Sequence, residues 1–252
     1  MRVAMKFAYD GKNFSGCARQ PGQRTIEQVV LDELTEQGMF QDVKLACFRT
    51  ASRTDRGVSA LGNVCAFDTT LSKEDIMMLL QNDVSEVFFY GVQEVIPGFY
   101  PRHAIRREYR YYLRNHGLDV EKVLGAAGLF TGEHNFQNFA RVEPSKNPVR
   151  TIDTIVISER KDFVILDFYA RTFLWNQIRR IVSALKQVGN GTLSLEEVRH
   201  ALDHPEKKVD YQVVAPEPLL LKDVVYDFSF DYVKGYKKKL LRFERSIVSS
   251  LV

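Results

Sequence analysis

The sequence predicts an α+β protein of two similar halves, with mainly antiparallel sheets flanked by helices. Strand-like and helical segments alternate along the 252 residues. Several strand-like segments occur as hairpin-like pairs, which argues against a purely parallel sheet. The dipeptide Pro97-Gly98, followed by Pro101, interrupts this pattern. We therefore predict a first half over residues 1–100 and a second half over residues 101–252.

The first half is predicted to contain strands and helices with clear start signals. Val3 to Tyr9 alternates apolar and polar residues, as a half-buried strand does. Thr25 begins a capping box that opens a helix, and Gly38 is placed to end it. The other predicted segments are strands at Val43–Phe48, Val64–Phe67, Val87–Tyr90 and Gln93–Ile96, and a helix over Ile76–Leu80 behind a cap signal at Ser72 and Asp75.

The second half is predicted to carry a tyrosine-rich strand at Arg110–Leu113. Apolar residues repeat with helical spacing from Leu174 to Val188, and Gly189 is placed to end this helix. The remaining predicted segments are a short helix over Val123–Phe130, a hairpin of Thr151–Ser158 and Asp162–Arg171, a helix capped by Ser194 and Glu197, and a late strand at Val224–Phe230. A basic tail from Tyr236 onward is either a solvated helix face or a phosphate contact.

Composition places few restrictions on function. The chain has 35 Lys and Arg against 32 Asp and Glu, a formal net charge of +3, and 45% hydrophobic residues. These values are ordinary for a globular protein and are compatible with an anionic partner without indicating one. The three cysteines include no C-x-x-C pair, which excludes the common zinc and redox motifs. We expect a reducing, cytoplasmic location, no signal peptide and no association with a membrane.

The residues between Ser52 and Ala60 contain the clearest candidate for chemistry. Asp55 lies between Arg53 and Arg56 in a turn. Adjacent guanidinium groups favour the ionised form of a carboxylate, and an ionised, oriented Asp can be a nucleophile or a general base. The alternative is structural, because an Asp beside a glycine commonly caps a turn. Only the rest of the chain can decide between these interpretations.

Five segments, taken in order, resemble the TruA-type tRNA pseudouridine synthases, and the similarity runs nearly end to end. Each segment alone is a weak signal, whereas five in the right order are hard to obtain by chance. They are Phe7–Gly11 with Gly16, Arg19–Pro21 and Thr25–Glu27; Arg53–Asp55 with Gly57, Val58 and Ala60; Arg107–Tyr112; Gly132–Phe136 with Phe139; and Phe173–Arg179 with Ile181, Val182, Gly189 and Gly191. The resemblance implies the pseudouridine synthase fold, in which the two halves surround a central RNA-binding cleft.

The resemblance also implies roles for individual side chains. Asp55 matches the catalytic aspartate, for which a covalent adduct and a glycal-like intermediate are both considered. Tyr109 matches a tyrosine that stacks on the target base and is implicated in proton transfer. Arg179 matches the arginine that pairs with the catalytic carboxylate, and such pairing offsets the cost of burying its charge. Arg53 matches an arginine that helps to hold the nucleotide out of the RNA stack.

The reaction so implied converts uridine in tRNA to pseudouridine and needs no cofactor. The sequence contains neither a phosphate-binding Gly-rich motif nor a metal-ligand cluster, which agrees with that chemistry. His200 and His204 could share a helix face, but two ligands do not make a zinc site. We expect a target in the anticodon stem-loop and a homodimer. RNA-binding contacts are expected from Arg53, Arg56, Arg107 and Arg110.

Two other functions fit parts of the pattern. A catalytically silent RNA-binding module could share the scaffold, although the joint presence of Asp55, Tyr109 and Arg179 argues against it. A retaining glycosidase would also use a carboxylate nucleophile, but it needs a second carboxylate, for which we find no compelling candidate. The pattern around Asp55, with Arg56 and Ser59, is closer to archaeal and eukaryotic family members than to bacterial ones.

Overall fold

A computed structural model describes residues 1–81 and 86–251, which fall into two compact units. The first unit contains Met1–Ile105 and Leu220–Val252, and the second contains Arg106–Leu219. The predicted boundary after residue 100 lies close to the point where the chain leaves the first unit. The prediction differs from the structure for the last part of the chain, because it assigned residues 220–252 to the second half, whereas they belong to the first unit.

Strands and helices alternate in both units, as the sequence predicts. Among the described residues, the strands are β1 (Arg2–Tyr9), β2 (Arg49–Thr50), β3 (Ser59–Asp68), β4 (Val87–Val95), β5 (Arg106–Arg114), β6 (Gly132–Asn135), β7 (Val149–Ile152), β8 (Thr154–Arg160), β9 (Phe163–Ala170), β10 (Leu219–Val225) and β11 (Asp231–Tyr232). The helices are α1 (Ile26–Glu36), α2 (Lys73–Gln81), α3 (Val120–Gly128), α4 (Gln177–Gly189), α5 (Leu195–Asp203) and α6 (Tyr236–Ser249). Most strand pairs are antiparallel, which confirms the predicted fold class.

The first unit is built around β1, which pairs antiparallel with β3 on one side and with β4 on the other. β11 lies antiparallel to β4, and β10 lies parallel to β3. Every residue of β1 is buried, including Lys6, whose ammonium group contacts the Asp223 carboxylate and lies 3.3 Å from the Val224 carbonyl. A buried ammonium group requires such partners, because an unpaired charge in the core is costly.

The end of the chain, from β10 onward, joins this sheet. Leu220 pairs with Ser59, and the ring of Tyr236 stacks on Tyr90 with centroids 5.6 Å apart. The strand predicted at Val224–Phe230 is therefore wrong in its placement, since β10 lies mainly before it and β11 after it. Parallel pairing joins segments that are distant in sequence, so it leaves no local signal of the kind a hairpin turn provides.

The strand predicted at Val43–Phe48 is also wrong, because a turn occupies most of this segment. The Asp42 carboxylate accepts hydrogen bonds from the backbone amides of Lys44 and Leu45, at 2.7 and 3.2 Å. Cys47 then adopts a φ of 47°. A short acidic side chain that bonds to nearby amides competes with sheet formation, and here it prevents apolar residues from forming a strand.

In the second unit, β9 lies between β5 and β8, and both pairings are antiparallel. The predicted hairpin is therefore confirmed for β8 and β9. β6 and β7 form a separate two-stranded sheet. The helix α4 buries an apolar face and packs against α3, and a reciprocal capping box between Ser194 and Glu197 opens α5 as predicted.

α4 begins later than predicted and ends at Gly189, as predicted. Asn176 has a φ of 60°, so the helix begins at Gln177 rather than at Leu174. Gly189 is the last residue of α4, and a Cβ atom there would be 2.7 Å from the Val123 side chain of α3. This glycine therefore permits close packing of α3 on α4, and the left-handed residue beyond the helix is Gly191, with a φ of 74°.

Candidate active site

The loop Ser52–Val58, which carries Asp55, is fastened to β3 by the side chain of Asn63. Asn63 is fully buried. Its Oδ1 accepts from the Ser52 amide at 3.2 Å, and its Nδ2 donates to the Ser52 carbonyl at 3.0 Å. The side chain thus supplies both hydrogen bonds that a neighbouring strand would give to this residue, and it fixes the start of the loop.

A second set of hydrogen bonds holds the middle of the loop. Thr54 Oγ1 lies 2.8 Å from the Tyr9 hydroxyl, which is itself 3.4 Å from Asn63 Nδ2. The Thr54 carbonyl accepts from the Cys17 amide at 3.2 Å. Burial raises the pKa of the Cys17 thiol to about 12, so the thiol is neutral at physiological pH. The residue immediately before Asp55 therefore belongs to a buried polar network.

The residues around Asp55 differ in exposure. Arg53 and Arg56 are exposed, whereas Asp55 is half-buried. The Asp55 carbonyl accepts from the Val58 amide at 3.1 Å and closes a turn in which Gly57 has a φ of 86°. That φ favours glycine, because other residues place Cβ against the backbone there. The loop thus presents its carboxylate on a fixed turn.

The packing around Gly11 explains why the first family-like segment ends in glycine. A Cβ atom at this position would lie 2.2 Å from the Val58 carbonyl oxygen, and the Gly11 amide donates to Ser59 Oγ at 3.0 Å. The turn that follows β1 therefore packs directly against the end of the Asp55 loop. A larger residue would displace one of the two.

Tyr109 lies on β5 in the second unit, opposite Phe168 of β9, and it is half-buried. Its ring meets Phe173 edge to face, with centroids 5.4 Å apart and planes at 88°. Such a contact favours one orientation of the tyrosine ring. Tyr111 and Tyr112, which the sequence suggests are ordinary strand aromatics, are both buried.

Arg179 lies in the first turn of α4 and is half-buried. Its Nε donates to the Val214 carbonyl at 2.8 Å, and its Nη1 lies 3.3 Å from Asn176 Oδ1. Burial raises the pKa of the Tyr111 hydroxyl, and the positive charge of Arg179 partly opposes that rise. The guanidinium group is therefore positioned by its own unit.

Arg107 and Arg110 are also held by oxygens of the second unit. Arg107 is buried, and its Nη1 donates to the Arg171 carbonyl at 2.5 Å. Arg110 donates two hydrogen bonds to the Asp167 carboxylate, at 2.7 and 2.8 Å, and this pairing raises the pKa of its guanidinium group. A phosphate at Arg110 would have to share the guanidinium group with that carboxylate. Contact of either arginine with RNA stays a prediction.

A cavity of 930 Å³ in the first unit adjoins the Asp55 loop and includes Arg53 in its lining. Positively charged side chains outnumber carboxylates around it, and an excess of one charge in a concave surface attracts ligands of the opposite charge. The cationic residues are Arg19, Lys44, Arg49, Arg53 and Arg102, the carboxylates are Glu27 and Asp42, and Cys47 and Tyr100 also line the cavity. The exposed thiol of Cys47 offers a chemical probe of this cavity.

The predicted site residues fall into two groups. Arg53, Asp55 and Arg56 share one loop of the first unit, and Tyr109 and Arg179 belong to the second unit. Joint action of the two groups on one substrate is therefore a proposal.

The sequence patterns did not indicate Asn63 and included Tyr9 only within the first family-like segment, although both residues position the Asp55 loop. The signal in the sequence was that Asn63 lies between apolar residues, with Ala60 and Leu61 before it and Val64–Phe67 after it. A buried polar residue of this kind requires partners, and here they are the loop backbone and a tyrosine hydroxyl.

Within residues 1–81 and 86–251, no group of three or more His, Cys, Asp or Glu side chains could hold a metal ion. The ring of His200 on α5 lies 4.3 Å from that of His204, the residue after α5, and His204 is also 3.3 Å from the Glu206 carboxylate. In the same part of the chain, no helix is both long enough and apolar enough to span a bilayer.

Comparison with known proteins identifies the class to which this fold and loop belong. A family model described as tRNA pseudouridine synthase matches residues 126–227. The tRNA pseudouridine synthase A of Thermococcus sibiricus is 40% identical over 261 residues, covering 100% of this chain and 97% of that protein. The Pyrococcus abyssi protein of the same name is 43% identical over 230 residues, covering 90% and 85%. The chain therefore belongs to the tRNA pseudouridine synthase A family.

Among solved structures, a chain of a Cbf5-Nop10-Gar1 complex is similar, with a TM-score of 0.39 and 15% sequence identity. The similarity covers 73% of this chain and 45% of that chain. It is too weak to support a conclusion about function.

Proposed function

We propose that this protein isomerises uridine to pseudouridine in tRNA, with Asp55 as the catalytic carboxylate and no cofactor. The observation that carries the proposal is the 40% identity to a tRNA pseudouridine synthase A over the whole chain. The fixed turn between Arg53 and Arg56 supports the choice of Asp55, because a catalytic carboxylate must be held in one geometry.

In the proposed mechanism, a uridine leaves the RNA stack and its ribose meets the Asp55 carboxylate. The carboxylate either attacks the nucleoside or removes a sugar proton, and the N1–C1′ glycosidic bond breaks. The detached uracil rotates and C5 forms a bond to C1′, while the carboxylate is released or returns the sugar proton. N1 takes up a proton in place of the one that C5 then loses. Arg179 balances the negative charge of the carboxylate during these steps. Tyr109 stacks on the uracil and accepts or relays the proton that leaves C5.

We further propose that Arg53 and Arg56 contact the RNA backbone, because their guanidinium groups are exposed on either side of Asp55. The cationic cavity lined in part by Arg53 would bind further phosphates of the RNA backbone. Contact of Arg107 and Arg110 with RNA is also part of the proposal, and their hydrogen bonds to protein oxygens would hold the strand of Tyr109 in place. The target position in the anticodon stem-loop, the homodimer and the cytoplasmic location are parts of the same proposal.

Product analysis tests the reaction. Wild-type protein is incubated with unmodified tRNA transcripts, and pseudouridine is mapped at each position. We expect pseudouridine in the anticodon stem-loop with wild type and none with Asp55→Ala or Asp55→Asn. A mutant that forms as much pseudouridine as wild type would rule out Asp55 as the catalytic carboxylate. Binding of tRNA without any product by the wild type would favour the silent RNA-binding module.

A further inference from the structure

The second unit carries an exposed tryptophan with an arginine stacked on it. Trp175 is 45% exposed and is the single tryptophan of the chain. The guanidinium carbon of Arg141 lies 4.0 Å from the centroid of the Trp175 rings. A large aromatic side chain with this exposure is uncommon outside binding surfaces, where Trp and Arg are enriched.

The backbone fixes both members of this pair. Arg141 and Trp175 form an antiparallel bridge, and the Arg141 amide donates to the Trp175 carbonyl at 2.8 Å. On the Arg141 side, Phe139 lies two residues earlier and is fully buried, with its ring stacked on Tyr211 at a centroid distance of 4.7 Å. On the other side, α4 begins two residues after Trp175. A surface that is ordered before binding loses little entropy when a ligand stacks on it.

The segment that carries Trp175 also contacts Tyr109 within the same unit. Phe173, two residues before Trp175, makes the edge-to-face contact with Tyr109. Tyr109 is the residue that we propose to stack on the target uracil. Trp175, with Arg141 stacked on it, therefore lies two residues along the chain from the aromatic contact of Tyr109. RNA bases unstacked from a helix bind to such aromatic and guanidinium planes.

We propose that Arg141 and Trp175 form a stacking platform for a second base of the bound tRNA, in a nucleotide that flanks the target uridine. The inference rests on the proposed function, because tRNA is the ligand. Every base has a π-face, so the platform accepts the flanking nucleotide with little regard to its identity. Its role is to hold the unstacked RNA strand while the target uridine is displaced.

The first experiment uses Trp175 itself as the probe, in otherwise unmodified protein. Because the chain has one tryptophan, all indole emission comes from the platform. Titration with a substrate tRNA is expected to quench this emission, with a midpoint equal to the Kd measured by filter binding. Emission that stays unchanged at saturating tRNA would overturn the proposal.

The second experiment combines protein variants with abasic RNA. Trp175→Leu keeps an apolar side chain without a π-face and is expected to weaken tRNA binding about fivefold or more, whereas Trp175→Phe should recover most of the affinity. Abasic sites are placed one at a time on either side of the target uridine. At the position whose base occupies the platform, removing that base and replacing Trp175 by leucine remove the same contact. The two changes together should therefore weaken tRNA binding no more than either change alone. Additive penalties at every position would contradict the proposal.

Controls separate this inference from the proposed function and from misfolding. Leu124 is 50% exposed on α3 of the same unit, and Leu124→Ala should leave tRNA affinity unchanged. Thermal melts establish that each variant folds. If wild type forms pseudouridine but tRNA does not quench Trp175, the platform alone is refuted. If wild type binds tRNA and quenches Trp175 without forming pseudouridine, the proposed function fails and the platform stands.

Discussion

At the residue scale, Asn63 gives the Asp55 loop its position, because one side chain provides both a donor and an acceptor to Ser52. The sequence identified Asp55 from its arginine neighbours and from the family resemblance. It did not identify Asn63, because the partners of a buried amide come from a segment eleven residues away and from β1. Local sequence patterns indicate periodicity and turns, whereas the partners in a buried polar network depend on which strands pair.

The substitution Asn63→Asp tests this role. A carboxylate would replace the Nδ2 donor opposite the Ser52 carbonyl and leave a buried acceptor unpaired, which costs about 1–3 kcal/mol. We expect a lower free energy of unfolding in urea and a lower kcat, with a smaller change in the Kd for tRNA. Asn13→Asp is the matched control, since Asn13 is exposed, and it should change neither value. Equal effects of the two substitutions would contradict the role given to Asn63.

Thiol labelling provides a second test at this scale. Cys47 is exposed, whereas Cys17 and Cys65 are buried, and burial raises the pKa of the Cys17 thiol to about 12. At pH 8 a maleimide should therefore modify Cys47 alone, giving one label per chain. Because Cys47 lines the cationic cavity, saturating tRNA should slow this labelling by at least about tenfold. The measurement is intact-protein mass spectrometry over time.

An uncharged polymer of similar size serves as the control for tRNA in that experiment, and it should leave the labelling rate unchanged. Labelling at the same rate with and without tRNA would show that the cavity is not part of the RNA-binding surface.

At the scale of elements, the cap signals predicted helix starts well. Thr25 and Ser194 accept hydrogen bonds from the amides three residues later, as their sequence patterns indicate. Strand bounds were less predictable. Gly189 ends α4 as predicted, and its small size also permits the contact with α3. The sequence indicates only the first of these roles, because the second depends on the neighbouring helix.

Gly189→Ala tests the packing role. The added Cβ would approach Val123 to 2.7 Å and Leu118 to 3.1 Å, and overpacking of this kind costs about 1–3 kcal/mol. Gly128→Ala on α3 is the matched control, because its Cβ would meet nothing within 4 Å, and alanine there should stabilise by about 0.5–1 kcal/mol. Urea unfolding of both variants is the measurement. Stabilisation by Gly189→Ala would show that α3 does not restrict this position.

At the scale of the whole molecule, the small net charge of +3 conceals a local concentration of positive charge. Arg49 and Arg102 are 53 residues apart in sequence, yet they line the same cavity with Arg53. No sequence pattern indicates this cluster, since folding alone brings the arginines together. Local charge, rather than net charge, determines how a surface attracts RNA.

The salt dependence of tRNA binding tests this view. Each cationic side chain that contacts a phosphate releases counterions, so Arg49→Ala and Arg102→Ala should each reduce the slope of log K against log[salt] by about 1. Arg199→Ala, on α5 in the second unit, should leave the slope unchanged. Slopes identical to wild type in both cavity variants would indicate that these arginines do not contact the RNA backbone.

The sequence by itself determined the α+β class, most of the helix starts and the family, because periodicity, cap residues and ordered motifs are local properties of the chain. Tertiary structure alone decided that the chain returns from Leu220 onward to the first sheet, that Asp42 converts a predicted strand into a turn, and that Asn63 fastens the Asp55 loop. The physical reason is the same in each case. Hydrogen bonds and close packing between distant segments depend on the fold, and the sequence near each residue does not record its partners.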